Sequence, residues 1–452
     1  MMTLMPSEAL KACPTGAPAS SGRTRVRWFL IFWLFLLSAV AFLDRVNISI
    51  AGDALARTYR LTDIQLGWVF SAFLAGYALF QTPGGRLADW LGPRRVLAGG
   101  VLWWGVFTAL TACVPSGIGH PLALLLSIRF LLGAGEAVVY PASNQFVARW
   151  IPQQERGIAN GWIFAGVGAG AGLSPPLISY LMFHQGWRSS FWFSAGIGLI
   201  AGGLWFVLAR DRPEDDRRVS PQELEFIRAG ISPSAGKGGP LVRWSSILKS
   251  REVVAMTVSY FTFGYVAWIF FSWFYHYLAQ VRNLNLKASA FYSMLPFLAM
   301  AAACPLGGWL SDRLTRIYNP RLGRCYLSCA AIMLAGVFLV LGAETHGARL
   351  ASIVLAGGAG ALYLAQSSFW SVTAGLAGPS SGSVSGFMNM GGQVGAWFTT
   401  WLTPLIAARL GWTASLLAAA GLSLVGALAW LLVNPDRTLE TDSAQQAIGP
   451  SA

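Results

Sequence analysis

Four charged residues stand where charge is costly. Asp44 and Arg45 are adjacent near the end of an otherwise uncharged run that begins at Trp28, and Arg129 and Glu136 lie within SIRFLLGAGEAVVYP. A charged side chain at hydrocarbon depth costs about 2.5–3.5 kcal/mol on insertion scales, so such residues face a water-filled cavity and mark an ion or substrate path. Seven residues are about two helical turns, which places Arg129 and Glu136 on nearly one face, about 10 Å apart along the axis. That is too far for a simple pair, and each needs a partner from another element. The Asp44 and Arg45 couple offers both signs. Its members differ by about 100° around a helix, so one can face a cavity while the other faces a neighbouring helix. Asn47 lies on the acid's side.

The elements that position these groups are membrane helices. Of the 452 residues, 55% are hydrophobic and 11% charged, with mean hydropathy +0.53 and 51 Gly. A soluble protein carries about 25% charged residues, so most of this surface faces lipid. A crossing takes roughly 20 apolar residues. Windows of that kind fall near 28–50, 64–85, 96–114, 121–143, 157–182, 189–209, 253–279, 289–310, 323–342, 349–373, 382–407 and 412–433. The expected fold is therefore an all-α membrane protein with twelve transmembrane helices. Residues 1–27 read as a disordered cytoplasmic tail and 434–452 as a second one. The first apolar run is span-length and continues into the bundle, unlike a cleaved signal peptide.

The net charge of +13 would suit nucleic acid, but the placement of the 32 Lys and Arg points elsewhere. With both termini inside, the tail, the segment 210–252 and the turns around Arg86, Arg149 and Arg313 collect most of them on the cytoplasmic side. The outer side receives Arg57, Arg60, Arg188, Arg282, Lys287, Arg349 and Arg409. This follows the positive-inside rule. The five cysteines show no CxxC or disulfide-like spacing, and the histidines His120, His184, His276 and His346 fall near the outer ends of spans without metal-ligand spacing. No metal site is implied.

Six spans (28–209) precede the polar linker 210–252 and six (253–433) follow it. In the linker, SPQELEFIRAG reads as a short surface helix with Ser220 as N-cap, Pro221 at the first helical position and Glu223 closing a capping box. GGRLADWLGPRR follows helix 2 and GGWLSDRLTRIYNPR follows helix 8, sharing GGxLxDxL with Asp89 and Asp312 aligned. Matching loops in two six-helix halves suggest a duplicated transporter fold. Gly85, Asp89, Gly92, Arg94 and Arg95 resemble the gating signature between helices 2 and 3 of the major facilitator superfamily. Asp312 and Arg313 belong to a copy similar to its weaker C-terminal partner.

Further motifs narrow the resemblance. LDRxNxSxA in helix 1, RFxLGxxEAxxxPASN in helix 4, PQQERGIANG after it, GWR at 186–188 and SGFMNMGGQVGAWFTTWLTPL resemble the anion:cation symporter family within that superfamily. The resemblance reaches to about residue 435. It implies proton-coupled symport of an organic anion, typically a sugar acid such as a hexuronate, aldonate or aldarate, across a bacterial inner membrane by a functional monomer. Arg45 would grip the substrate carboxylate, Asp44 and Glu136 would carry protons, and Arg129 would couple to them. Polar and aromatic candidates for the cavity wall are Asn47, Tyr77, Trp273, Tyr275, Trp370, Ser371, Asn389 and Gln393. Relative to sugar-acid members, Val167 stands where Gln is frequent, Gln393 where Asn is usual, Tyr275 where Pro is common and Gly375 where helix 10 often ends with Asp.

GVGAGAG (166–172) superficially fits a dinucleotide pattern, yet it lies inside an apolar span, where small residues permit close helix contact. A membrane-embedded enzyme would need a nucleophile and base or a metal set at that depth, and Asp44 and Glu136 have no such partners in a recognisable motif. The alternative within transporters is another solute class, such as an aromatic or other carboxylate, or a neutral solute or drug for export.

Overall fold

The computed structural model describes residues 24–117, 119–231 and 241–439; the readings for 1–23 and 440–452 lie outside them. The chain forms α1 Val26–Tyr59, α2 Asp63–Leu91, α3 Pro93–Cys113, α4 Pro121–Glu136 continued by Val139–Trp150, α5 Arg156–Gln185 and α6 Trp187–Leu208. After the linker come α7 Arg251–Ser272, α8 Leu286–Ile317, α9 Leu327–Glu344, and α10 Ala348–Leu364 continued by Gln366–Ala377. One stretch, Ser381–Ala429, then contains α11 (381–410) and α12 (412–429), divided at Gly411, whose φ of 89° only glycine adopts readily.

The described residues hold ten uninterrupted runs long and apolar enough to cross a membrane, and the last, Ala348–Leu432, has 85 residues. At 1.5 Å per residue it would measure about 130 Å if straight, some four bilayer cores. It turns back at the Gly378–Ser380 3-10 turn and again at Gly411, supplying three crossings and completing twelve. In α4, Pro141 has no N–H to give the carbonyl of Ala137, and the helix breaks just after Glu136. In α7 the regular helix stops at Trp273 and gives way to a π turn at Tyr277–Val281.

The halves meet along two seams, α2 against α11 and α5 against α8. Both are closest at the end that carries the linker, here the linker side. A Cβ on Gly85 would overlap the carbonyl of Gly382, and one on Gly308 that of Gly157. Glycine in these repeats therefore serves backbone-to-backbone approach.

Two expectations are corrected on the linker side. Thr24 to Arg27 are not a loose tail: α1 starts at Val26, and Thr24 Oγ1 donates to Glu223 Oε2 at 2.6 Å. Arg27 pairs with both Glu223 (2.8 Å) and Glu155 (2.9 Å). Ser220 does cap the helix Pro221–Ala229, accepting from the Glu223 amide. Glu223 does not close a capping box, because its fully buried carboxylate serves the start of α1 instead.

Candidate functional site

At the centre of the bundle, between the halves, lies a cavity of about 60 Å³. Phe42 and Arg45 of α1, Tyr77 of α2, Tyr140 of α4, and Phe164 and Val167 of α5 form one wall. Tyr260 to Phe271 of α7, Tyr363 and Gln366 of α10, and Asn389, Gly392 and Gln393 of α11 form the other. The volume is under half the roughly 150 Å³ that holds a benzene.

Arg45 is the cationic wall residue. Its Nε donates to Glu136 Oε1 at 2.6 Å, and its Cζ lies 4.1 Å from the Tyr77 ring centroid and 4.7 Å from that of Phe42. Nη2 of Arg45 and Oε2 of Glu136 have no hydrogen-bond partner among the described residues. The pair is thus half-satisfied on both sides. Burying an ion pair is costly unless further hydrogen bonds complete it, and an anion in the cavity would complete the guanidinium.

Asp44 turns away, as the 100° step requires. Thr108 of α3 donates to its Oδ2 at 2.8 Å, while Oδ1 has no partner among the described residues. Arg129 lies over Phe73, with Cζ 4.9 Å from the ring centroid, and Arg45 lies 5.4 Å from the same centroid. Nε and Nη1 of Arg129 are likewise unpartnered among the described residues. Arg129 interacts electrostatically with both Asp44 and Glu136. Two guanidiniums therefore share the Phe73 ring, and Arg45, Glu136, Asp44 and Arg129 each keep an open valence among the described residues, an arrangement suited to moving a proton or trading an ion-pair partner.

Of the expected wall residues, Tyr77, Asn389 and Gln393 line the cavity, as does Val167. Asn47 does not. Its Oδ1 accepts from Ser190 at 2.7 Å and its Nδ2 donates to Ser194 at 3.2 Å, fixing α1 to α6. Trp273 donates to the Thr399 carbonyl and stacks with His276 and Trp412 at the far end of α7, and Tyr275 beside it is exposed. Trp370 sits behind the wall, donating to the Tyr260 hydroxyl at 3.3 Å, and Ser371 bonds to Ser367 and Asn160 on the linker side. Gly375 also lies there, near Gln153 and Arg156. Tyr140, Tyr260, Tyr363, Gln366 and Thr108 were not anticipated: a hydroxyl or amide in an apolar run carries no local mark of the face it occupies.

The two repeats close the linker side. They are the last turns of α2 and α8, with only Gly92 (φ 92°) outside the helix in the first. Asp89 accepts from the Gly382 and Ser383 amides at the start of α11, both at 2.8 Å. Asp312 accepts from Gly157 (2.9 Å) and Ile158 (2.8 Å) at the start of α5. Arg324 lies 3.3 Å from Asp312. Arg94 holds α3 to α6 through the Phe206 carbonyl, Arg313 lies over Trp309, and no described hydrogen bond involves the Arg95 side chain. Asn144 to Thr373 and Gln145 to the Pro379 carbonyl add to the seal.

Comparison with known proteins agrees with this geometry. Residues 34–400 match the model of the Major Facilitator Superfamily. The chain is 32% identical over 435 residues to a probable sulfoacetate transporter of Cupriavidus necator, covering 94% of this chain and 98% of that one. It is 30% identical to the chloroplastic ascorbate transporter of Arabidopsis thaliana, over 90% of this chain and 74% of that one. A probable galactarate/D-glucarate transporter of Bacillus subtilis is also 30% identical, over 65% and 66%. Among solved structures, the proton:xylose symporter XylE shares the fold at TM-score 0.70 with 15% identity, over 92% of this chain and 98% of that one. The chain is thus an integral membrane transporter and not an enzyme, and it belongs to the Major Facilitator Superfamily, in the anion:cation symporter family whose motifs it carries.

Proposed function

We propose that the protein is a proton-coupled symporter of a small organic anion, with a sugar acid as the substrate class, working as a monomer in a bacterial inner membrane with both termini cytoplasmic. The observation that carries the reading is the ion pair between Arg45, which lines the cavity, and Glu136 behind it. A proton on Glu136 removes the charge that holds Arg45, and the freed guanidinium presents a planar fork of donors to a carboxylate. Anion and proton therefore load together, because each takes one member of the same pair. Asp44 and Arg129, one step deeper, supply a second carboxyl and a cation whose balance shifts when Glu136 changes charge.

The linker side is cytoplasmic under the positive-inside rule. Its closure by Asp89 and Asp312 supports reading this as a state sealed towards the cytoplasm. Alternating access would rock one half against the other about the cavity.

A second reading, a compact acid of two or three carbons in place of a sugar acid, is supported by the small cavity and by the name of the Cupriavidus relative. Both are tested together. Purified protein in liposomes with an inward proton gradient would be given radiolabelled aldonates, hexuronates, aldarates, sulfoacetate and aromatic acids. Uphill uptake of one acid, lost in Arg45→Ala, supports the reading and identifies the class. Absence of uptake of every anion by folded protein would overturn it in favour of a neutral-solute or export function.

A further inference from the structure

Between the cavity and the Asp89 seal, an amide-to-amide hydrogen bond crosses the α2 and α11 seam. Asn389 Nδ2 donates to Gln81 Oε1 at 2.8 Å. Asn389 lines the cavity, whereas Gln81 is fully buried behind it, and Gln81 Nε2 has no hydrogen-bond partner among the described residues. An unpaired buried amide donor is costly, about 1–3 kcal/mol, so Gln81 is held here at an expense that packing alone does not explain. Below the link the seam is closely packed. A Cβ on Gly386 would sit 2.5 Å from the Gln81 carbonyl, Thr82 meets Met390, and Gly85 meets Gly382. The aligned position in the second repeat is Cys304, where a Cβ on Gly161 would meet the Cys304 carbonyl and, among the described residues, no amide pair spans the seam. Of the two seams, among the described residues, that of α2 and α11 therefore joins cavity wall to seal through an amide bond that a ligand can replace.

We infer that Gln81 is a positioning residue that couples substrate occupancy to opening of the linker side: it holds Asn389, and with it α11, against α2 until an acceptor oxygen on the substrate takes the Asn389 amide. Losing that bond releases the top of the zipper that continues through Gly386 and Gly382 to Asp89. The substrate half of this inference rests on the proposed anion transport; the holding half does not.

The test reads the holding half without any substrate. In full-length protein whose native cysteines are replaced, a Ser371→Cys reporter on the sealed side is labelled with a maleimide. Gln81→Leu should raise the labelling rate about three- to tenfold, the factor that a lost hydrogen bond is worth. Asn389→Leu should do the same, and the double variant should add nothing further. Gln81→Asn should also raise labelling, and the exchange Gln81→Asn with Asn389→Gln should restore it, which a purely structural defect would not allow. Unchanged labelling, additive effects or failure of the exchange to rescue would overturn the inference, whatever the substrate panel shows. With glucarate or sulfoacetate present, wild-type labelling should rise while Gln81→Leu stays flat; a ligand response preserved in Gln81→Leu would overturn the coupling role.

Discussion

Asp89 and Asp312 do the same thing at aligned positions: each carboxylate crosses from its own half to accept the second and third backbone amides of a helix in the other half. The free amides and the positive end of the helix dipole make such a terminus a natural anion site. The two bonds are the inverse of each other, α2 to α11 and α8 to α5, so the seal has the pseudo-symmetry of the duplicated sequence.

Removing either charge should weaken the seal. Hydrogen bonds to a charged group contribute about 1.5–3 kcal/mol each in net terms, so Asp89→Asn or Asp312→Asn should shift the resting protein towards a linker-side-open state. Labelling of a sealed-side cysteine should rise by about tenfold or more in either variant. Equal labelling of wild type and both variants would show that the glycine seams suffice.

Glu136→Gln keeps the shape of the Arg45 partner and removes the titratable carboxyl. Exchange of labelled for unlabelled substrate at equal pH should survive, while accumulation driven by a pH gradient should vanish. Gradient-driven accumulation by the Gln variant would eliminate Glu136 as proton carrier.

Arg45→Lys preserves charge but not the fork that can hold Glu136 and a carboxylate together. Losing one charge-assisted bond of about 1.5–3 kcal/mol raises the half-saturation concentration roughly ten- to hundredfold. A Lys variant with wild-type affinity would mean that the substrate sees Arg45 only as a point charge.

Asn47→Ala separates structure from function at a position where sequence pattern and geometry diverge. The change removes the Asn47 bonds to Ser190 and Ser194, leaving Ser190 its bond to the Trp187 carbonyl, and should cost about 1–3 kcal/mol of stability. Thermal unfolding in detergent should fall by several degrees, with the substrate half-saturation unchanged. A large affinity loss without destabilisation would return Asn47 to the cavity.

Asp44, Arg45, Arg129 and Glu136 were legible from the chain alone because the cost of charge in an apolar run is paid wherever the helix faces, so their presence required a cavity before any neighbour was known. The repeats with Asp89 and Asp312 were legible because duplication leaves a fixed period, and the six-plus-six arrangement followed from run length and the single long polar linker. The windows 349–373, 382–407 and 412–433 already divided the stretch Ala348–Leu432, which is one uninterrupted run in the structure, and the positive φ at Gly378 and Gly411 sets where it breaks.

Which face each polar residue occupies was decided by tertiary structure. Asn47 and Asn389 are both amides within apolar helices, yet the rotation of α1 against α6 buries the first in a helix contact while α11 turns the second into the cavity. Trp273 and Trp370 left the wall for the same reason, and Thr108, Tyr140 and Gln366 entered it or its margin without any local signal. The sequence by itself determined how many charges must be sheltered and that the chain is built of two like halves. Only the packed bundle decided who partners whom, because Arg45 with Glu136, and Gln81 with Asn389, are brought together by helix phase and by the approach of glycine-lined seams, quantities that residues far apart in the chain set jointly.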